Sequence, residues 1–142
     1  MRHPDREHVS VELFGQLVRA VHAISQAGAR ELRSEGLTPA QYKTLAMVAA
    51  RPDMQQRDLS DALGVTKGNI SMLVARLESD GLLSRTPAGA AYLLRLTPDG
   101  RDLVNRLRPQ HARFMAACFA PLSDDELDTL GGLLSRLEAD RP

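Results

Sequence analysis

Between Thr66 and Leu77 the chain reads TKGNISMLVARL, with two basic residues, several short polar groups and no acid. Read as a helix with Ile70, Leu73, Val74 and Leu77 turned inward, it leaves Thr66, Lys67, Gly68, Asn69, Ser71, Met72 and Arg76 on or near the outer side. That outer side suits a polyanion with readable edges. Lys67 and Arg76 can pair with phosphates, whereas Asn69 and Ser71 offer short hydrogen-bonding groups to bases in a major groove. Gly68 permits close approach of the backbone. From Ser84 to Leu96 the pattern recurs with Arg85 and Arg95 and again no acid. An isolated Lys or Arg is ordinarily a solvated surface charge. Four of them clustered without acids make a basic strip.

The elements around the strip hold it in place. Gln56 to Leu63 reads as a short helix with Leu59 and Leu63 toward the core, Ser60 small where two helices cross, and Gly64 allowing the chain to reverse in GVT. Thr66 caps the helix that follows, and Asp80-Gly81 ends it. LLSR and AYLLRL then form two short strands around the turn TPAGA, with Tyr92, Leu94 and Leu96 alternating onto one face. Gln56 to Leu96 is thus a helix-turn-helix followed by a two-stranded wing.

Helices flank this lobe. Phe14, Leu17, Val18, Val21 and Ile24 form an apolar stripe on a helix from about Val9 to Arg33, which Gly36 ends. Thr38-Pro39-Ala40-Gln41 opens a second helix bearing Tyr42, Leu45, Ala46 and Val48, stopped by ARPD before Asp53. Thr97-Pro98 opens a fifth helix with Leu103, Val104, Leu107, Phe114, Met115 and Cys118, which Pro109 should kink without abolishing. SDDE at Ser123 to Glu126 is a further capping box. It opens a last helix whose Leu127, Leu130, Leu134 and Leu137 repeat at the spacing of a helix–helix seam.

The fold class is therefore mainly α, a winged helix-turn-helix in a single domain over residues 1–142. Residues 37–97 form the lobe, and residues 9–35 and 98–140 form dimerisation helices. A lobe this small cannot cover both terminal stripes, so they call for a partner chain. Two-fold symmetry then sets two recognition helices in successive major grooves, about 34 Å apart, and asks for an inverted repeat in the DNA.

Bulk properties exclude other classes. Of 142 residues, 43% are hydrophobic, 25% charged and 4% aromatic, with 18 Lys plus Arg against 18 Asp plus Glu. The net charge of zero gives no global pointer to nucleic acid. No apolar run nears the roughly 20 residues of a membrane span, and MRHPDREHVS lacks a signal-peptide core, which points to the cytoplasm and away from a membrane. One cysteine, Cys118, forms neither an internal disulfide nor a CxxC zinc or redox site. The four histidines are His3, His8, His22 and His111, the first two in an N-terminus expected to be mobile, and no GxSxG, HExxH or phosphate-loop pattern occurs. We expect no catalysis, cofactor or metal. His22, Tyr42 and His111 are candidates to line a small-molecule pocket, weighed against packed, hydrogen-bonded core positions. Cys118 carries no flanking cation that would activate it as a redox sensor.

LTPAQYKTL, RDLSDALGVTKGNISMLVARLESDGLLSR and LRLTPDGR together resemble the multiple-antibiotic-resistance regulator (MarR) family of winged-helix repressors, over about Leu37 to Arg101. The resemblance implies a homodimer on a pseudo-palindromic double-stranded DNA operator, often released by a small, frequently phenolic, effector. It places Thr66, Lys67, Gly68, Asn69, Ser71, Met72 and Arg76 where the family's recognition helix faces DNA, and matches Arg85 to an arginine at the base of the wing. The family's Asp-Arg-Arg run at the wing tip is replaced here by the shorter PAGAAY. The tip thus lacks the arginine that would enter a minor groove. Phosphate contacts by Lys67, Arg76, Arg85 and Arg95 in both protomers would give a log–log salt slope of about −7. The alternative reading is a winged-helix module that binds protein, which the neutral tip and zero net charge suit.

Overall fold

A computed structural model describes residues 5–139. His3 and the last residue of the 98–140 segment lie outside the described residues. The element order is α1 (Arg6–Leu32), a 3₁₀ turn (Arg33–Glu35), α2 (Pro39–Ala50), β1 (Met54–Gln55), α3 (Gln56–Leu63), α4 (Lys67–Ser79), β2 (Leu83–Ala88), β3 (Ala91–Leu96), α5 (Pro98–Phe119) and α6 (Asp124–Ala139). The chain divides after Arg106 into two compact units.

In the first unit, α1 begins three residues earlier than the stripe predicts. His8, expected in a mobile terminus, is helical and stands 3.2 Å from Glu12 one turn on. Helix α2 opens as its sequence dictates. The Gln41 N–H donates to Thr38 Oγ1 at 3.2 Å, and the Thr38 N–H donates to Gln41 Oε1 at 2.9 Å, a reciprocal cap. Gly64 ends α3 with φ 66°, a left-handed conformation that a side chain would strain. Ser60, buried at the crossing of α3 and α4, donates from Oγ to the Val65 carbonyl at 2.8 Å. The reversal is thereby tied on both sides. Leu45, Val48, Leu59, Ile70, Val74, Leu77, Leu83 and Leu94 are all buried and form the core beneath the helix-turn-helix.

The wing is larger than two strands. Met54–Gln55 pairs antiparallel with β3, giving a three-stranded sheet in the order β1-β3-β2. Two residues between two helices carry no period-2 signal, so this strand was not visible in the sequence. The register pairs Leu83 with Leu96, Arg85 with Leu94 and Pro87 with Tyr92. Leu94 and Leu96 are buried as expected, but Tyr92, on the same face, is 48% exposed because it lies near the tip, beyond the edge of the core.

Helix α5 starts against the lobe. Thr97 Oγ1 accepts from the Gly100 N–H at 3.0 Å and donates to the Gly81 carbonyl at 2.6 Å. Gly100 is buried with its Cα against the Leu82 carbonyl, where an added Cβ would overlap backbone. Arg106 and Glu35 form a two-pronged ion pair between α5 and the 3₁₀ turn, at 2.6 and 3.0 Å. The Arg106 hydrogen bond holds the Glu35 carboxyl below its ordinary pKa.

The second unit contains the rest of α5 and all of α6. Helix α5 continues through Pro109, since resumed apolar periodicity outweighs one lost hydrogen bond. His111 and Phe114 rings lie 6.4 Å apart, and burial lowers the His111 pKa. Helix α6 opens on the Ser123/Glu126 reciprocal cap, with hydrogen bonds of 2.9 and 3.3 Å. No described residue of α6 is buried. Among the described residues, no helix is long and apolar enough to cross a membrane.

Candidate nucleic-acid interface

Helix α4 presents the face that its sequence assigns. Thr66 accepts from the Asn69 N–H at 3.2 Å, fixing the N-terminus of the helix. Ile70, Val74 and Leu77 are buried, so Thr66, Lys67, Gly68, Asn69, Ser71, Met72 and Arg76 are all exposed. Leu73 is half-buried at the edge. Met72 is 74% exposed, a large apolar side chain left in water on an otherwise polar face. Such exposure is unfavourable unless something covers it.

Three of the four cations do not stand alone. Arg76 Nε donates to Asp80 at 3.1 Å. Arg85 makes two hydrogen bonds to Glu78, the shorter at 3.0 Å, and its guanidinium lies 5.4 Å from the centre of the Tyr92 ring. Arg95 grips Asp53 through Nε and through its terminal nitrogen, the latter at 2.7 Å. These hydrogen bonds lower the pKa of Glu78 and Asp53, so both carboxylates stay ionised at neutral pH. Lys67 alone of the four has no carboxylate within 4.0 Å among the described residues.

The acid-free windows in the sequence are therefore compensated in space. Asp80 sits four residues beyond Arg76 on the same helix, Glu78 faces β2 from α4, and Asp53 precedes β1 opposite Arg95. The helix spacing of Arg76 and Asp80 was a readable signal. The other two partners depend on the sheet register, and Asp53 immediately precedes β1, the strand that carries no period-2 signal.

The register also separates the two wing arginines. Arg85 pairs with Leu94 and shares the core-side face, with its side chain 26% exposed, whereas Arg95 is on the opposite face at 62%. Arg85 thereby ties the wing to α4. The turn at Gly89-Ala90 carries no charge.

Each candidate pocket residue has its own setting within its unit. His22 is exposed rather than packed in a core position, and it lines a shallow hollow of about 420 Å³ with Leu17, Val18, Val21 and Ser25, all from α1. Tyr42 is buried in the core of the first unit, and His111 is half-buried in the second. Cys118 is a half-buried free thiol.

A helix-turn-helix with a polar, cation-bearing second helix and an attached wing defines a winged-helix DNA-binding protein of the transcription-regulator class. Residues 35–91 match the model of the MarR family. The HTH-type transcriptional regulator MhqR of Bacillus subtilis is 25% identical over 131 residues, covering 90% of each chain. The PcaV transcriptional regulator from Streptomyces coelicolor, crystallised with its natural ligand, is 30% identical, covers 87% of this chain and 90% of its own, and superposes with a TM-score of 0.74. A cysteine-to-serine variant of MarR from E. coli, crystallised with operator DNA, shares the fold at a TM-score of 0.80 and 21% identity, covering 96% of this chain and 99% of its own. The chain belongs to the MarR family of winged-helix transcriptional regulators and is not an enzyme.

Proposed function

We propose that this chain is a cytoplasmic transcriptional repressor that binds a pseudo-palindromic operator as a homodimer and is released by a small aromatic effector. The observation that carries the DNA reading is α4, whose core face is buried and whose Thr66-to-Arg76 face is offered whole to solvent. Fold likeness to a MarR variant held on operator DNA supports the same use of that face. Thr66, Lys67, Gly68, Asn69, Ser71 and Met72 approach the major groove; Arg76, Arg85 and Arg95 border it.

The dimer rests on uncovered apolar faces. On α1, Phe14 is 69% and Val21 63% exposed, and on α6 Leu137 is 63% exposed. Each would lose favourable burial free energy if left in water. His22, beside the α1 hollow, is the pocket residue best placed to meet an effector at such an interface. Tyr42 and His111 complete the set of effector candidates.

Selection of bound DNA from a random duplex pool tests the function. An enriched inverted repeat with half-sites about one helical turn apart is expected. An unenriched pool would favour a protein-binding winged helix instead, a reading that the self-paired arginines and neutral wing tip make concrete.

A further inference from the structure

We propose that Asp53, Glu78 and Asp80 set the sequence discrimination of this lobe by engaging Arg95, Arg85 and Arg76, so that backbone phosphates contribute little to binding and base-edge contacts from α4 dominate it. The inference rests on the DNA-binding reading above. Phosphate contacts supply the sequence-independent part of protein–DNA affinity, and base contacts supply the discrimination. A protein that neutralises its own arginines weakens the first part and leaves the second intact.

Two of the three pairs are built into the fold. Among the described residues, Asp53 is the one non-glycine with positive φ, 65°. Aspartate tolerates that conformation better than most side chains, at some conformational cost. The Asp53 N–H donates to the Leu94 carbonyl at 3.1 Å, which fixes the backbone so that the carboxylate meets Arg95 with both oxygens. Glu78 and Tyr92 hold Arg85 from two sides on the half-buried face of the wing. The Arg76–Asp80 pair is a single contact on an exposed helix turn, with Arg76 at 70% side-chain exposure, and opens most readily.

Among these seven groups, Lys67, Arg76, Arg85 and Arg95 against Asp53, Glu78 and Asp80, one cation in each protomer is left without a carboxylate partner, where the sequence windows count four. Counterion release then gives a dimer a slope of log affinity against log salt of about −2, in place of about −7.

The test is a salt titration of the purified protein on its selected duplex and on a scrambled duplex, for the wild type and for D53N/E78Q/D80N. We expect a wild-type slope near −2, steepening toward about −7 in the triple variant. Affinity for the scrambled duplex should rise at least about tenfold at low salt in the triple variant, and more than affinity for the selected one. A wild-type slope already near −7 would mean that the arginines leave their carboxylates for phosphate, and would overturn the proposal. So would unchanged binding of the scrambled duplex. D80N alone opens the exposed pair without touching the wing, and its slope should steepen by about 2 in a dimer even if the triple variant folds poorly. Absence of binding to any duplex by every form would instead overturn the DNA-binding reading itself.

Discussion

Asn69 and Met72 are the side chains of α4 with the most specific chemistry to offer a base pair. An amide can meet the N6 and N7 edge of adenine with two hydrogen bonds, and discrimination of that kind amounts to about 1–3 kcal/mol. Asn69→Ala should therefore change which operator is enriched rather than abolish binding, as a repeated pool selection would show. Met72, exposed at 74%, has no polar atom to donate, and the apolar feature in a major groove is the thymine methyl. Replacing thymine by deoxyuridine at one half-site position of the enriched repeat should weaken wild-type binding about fourfold, from roughly 0.8 kcal/mol of lost methyl burial. Met72→Ala should be indifferent to the same replacement. A wild type indifferent at every thymine would remove Met72 from the interface.

At the scale of elements, the site depends on how the turn after α4 meets the start of α5. Gly81, Leu82, Thr97 and Gly100 form one joint there, with Thr97 Oγ1 linking the Gly81 carbonyl to the Gly100 N–H. Because an Ala Cβ at Gly100 would overlap the Leu82 carbonyl, the backbone must move to admit it. Gly100→Ala should destabilise the fold by about 2 kcal/mol or more, within or above the usual range for overpacking. Chemical denaturation measures this, and wild-type stability in the variant would show that the joint yields freely. The wing illustrates a related dependence. Its strands follow from alternation, but β1 pairs with β3 through residues far apart in the chain, and Arg95 meets Asp53 at the end of that same pairing.

For the whole molecule, the apolar faces of α1 and α6 are the largest unfinished business of a single chain. Phe14 and Leu137 are both mostly exposed, and each would occur twice in the proposed symmetric pair. Phe14→Asp should raise the dimer dissociation constant by at least about 100-fold, given roughly 1.5 kcal/mol lost per copy and 1.4 kcal/mol per tenfold. Sedimentation velocity would register the monomer, and binding to an inverted repeat should weaken in parallel. A variant that stays dimeric would move the interface elsewhere.

The amino-acid sequence by itself determined the helices, their caps and the inward faces, because periodicity, Thr38, Thr66 and Ser123 act over a single turn and need no distant partner. It likewise determined the outward face of α4, since burying Ile70, Val74 and Leu77 leaves the other side of a 3.6-residue helix in water. Motif order also made the family legible. The electrostatics of the interface was a different matter. Windows of sequence count only the charges they contain, whereas Asp53 lies 42 positions from Arg95 and meets it through a register that exists only in the folded sheet. Tertiary structure decided that Arg85 and Arg95 take opposite faces and that the basic strip arrives largely neutralised, because ion pairing is set by distance in space rather than by distance along the chain.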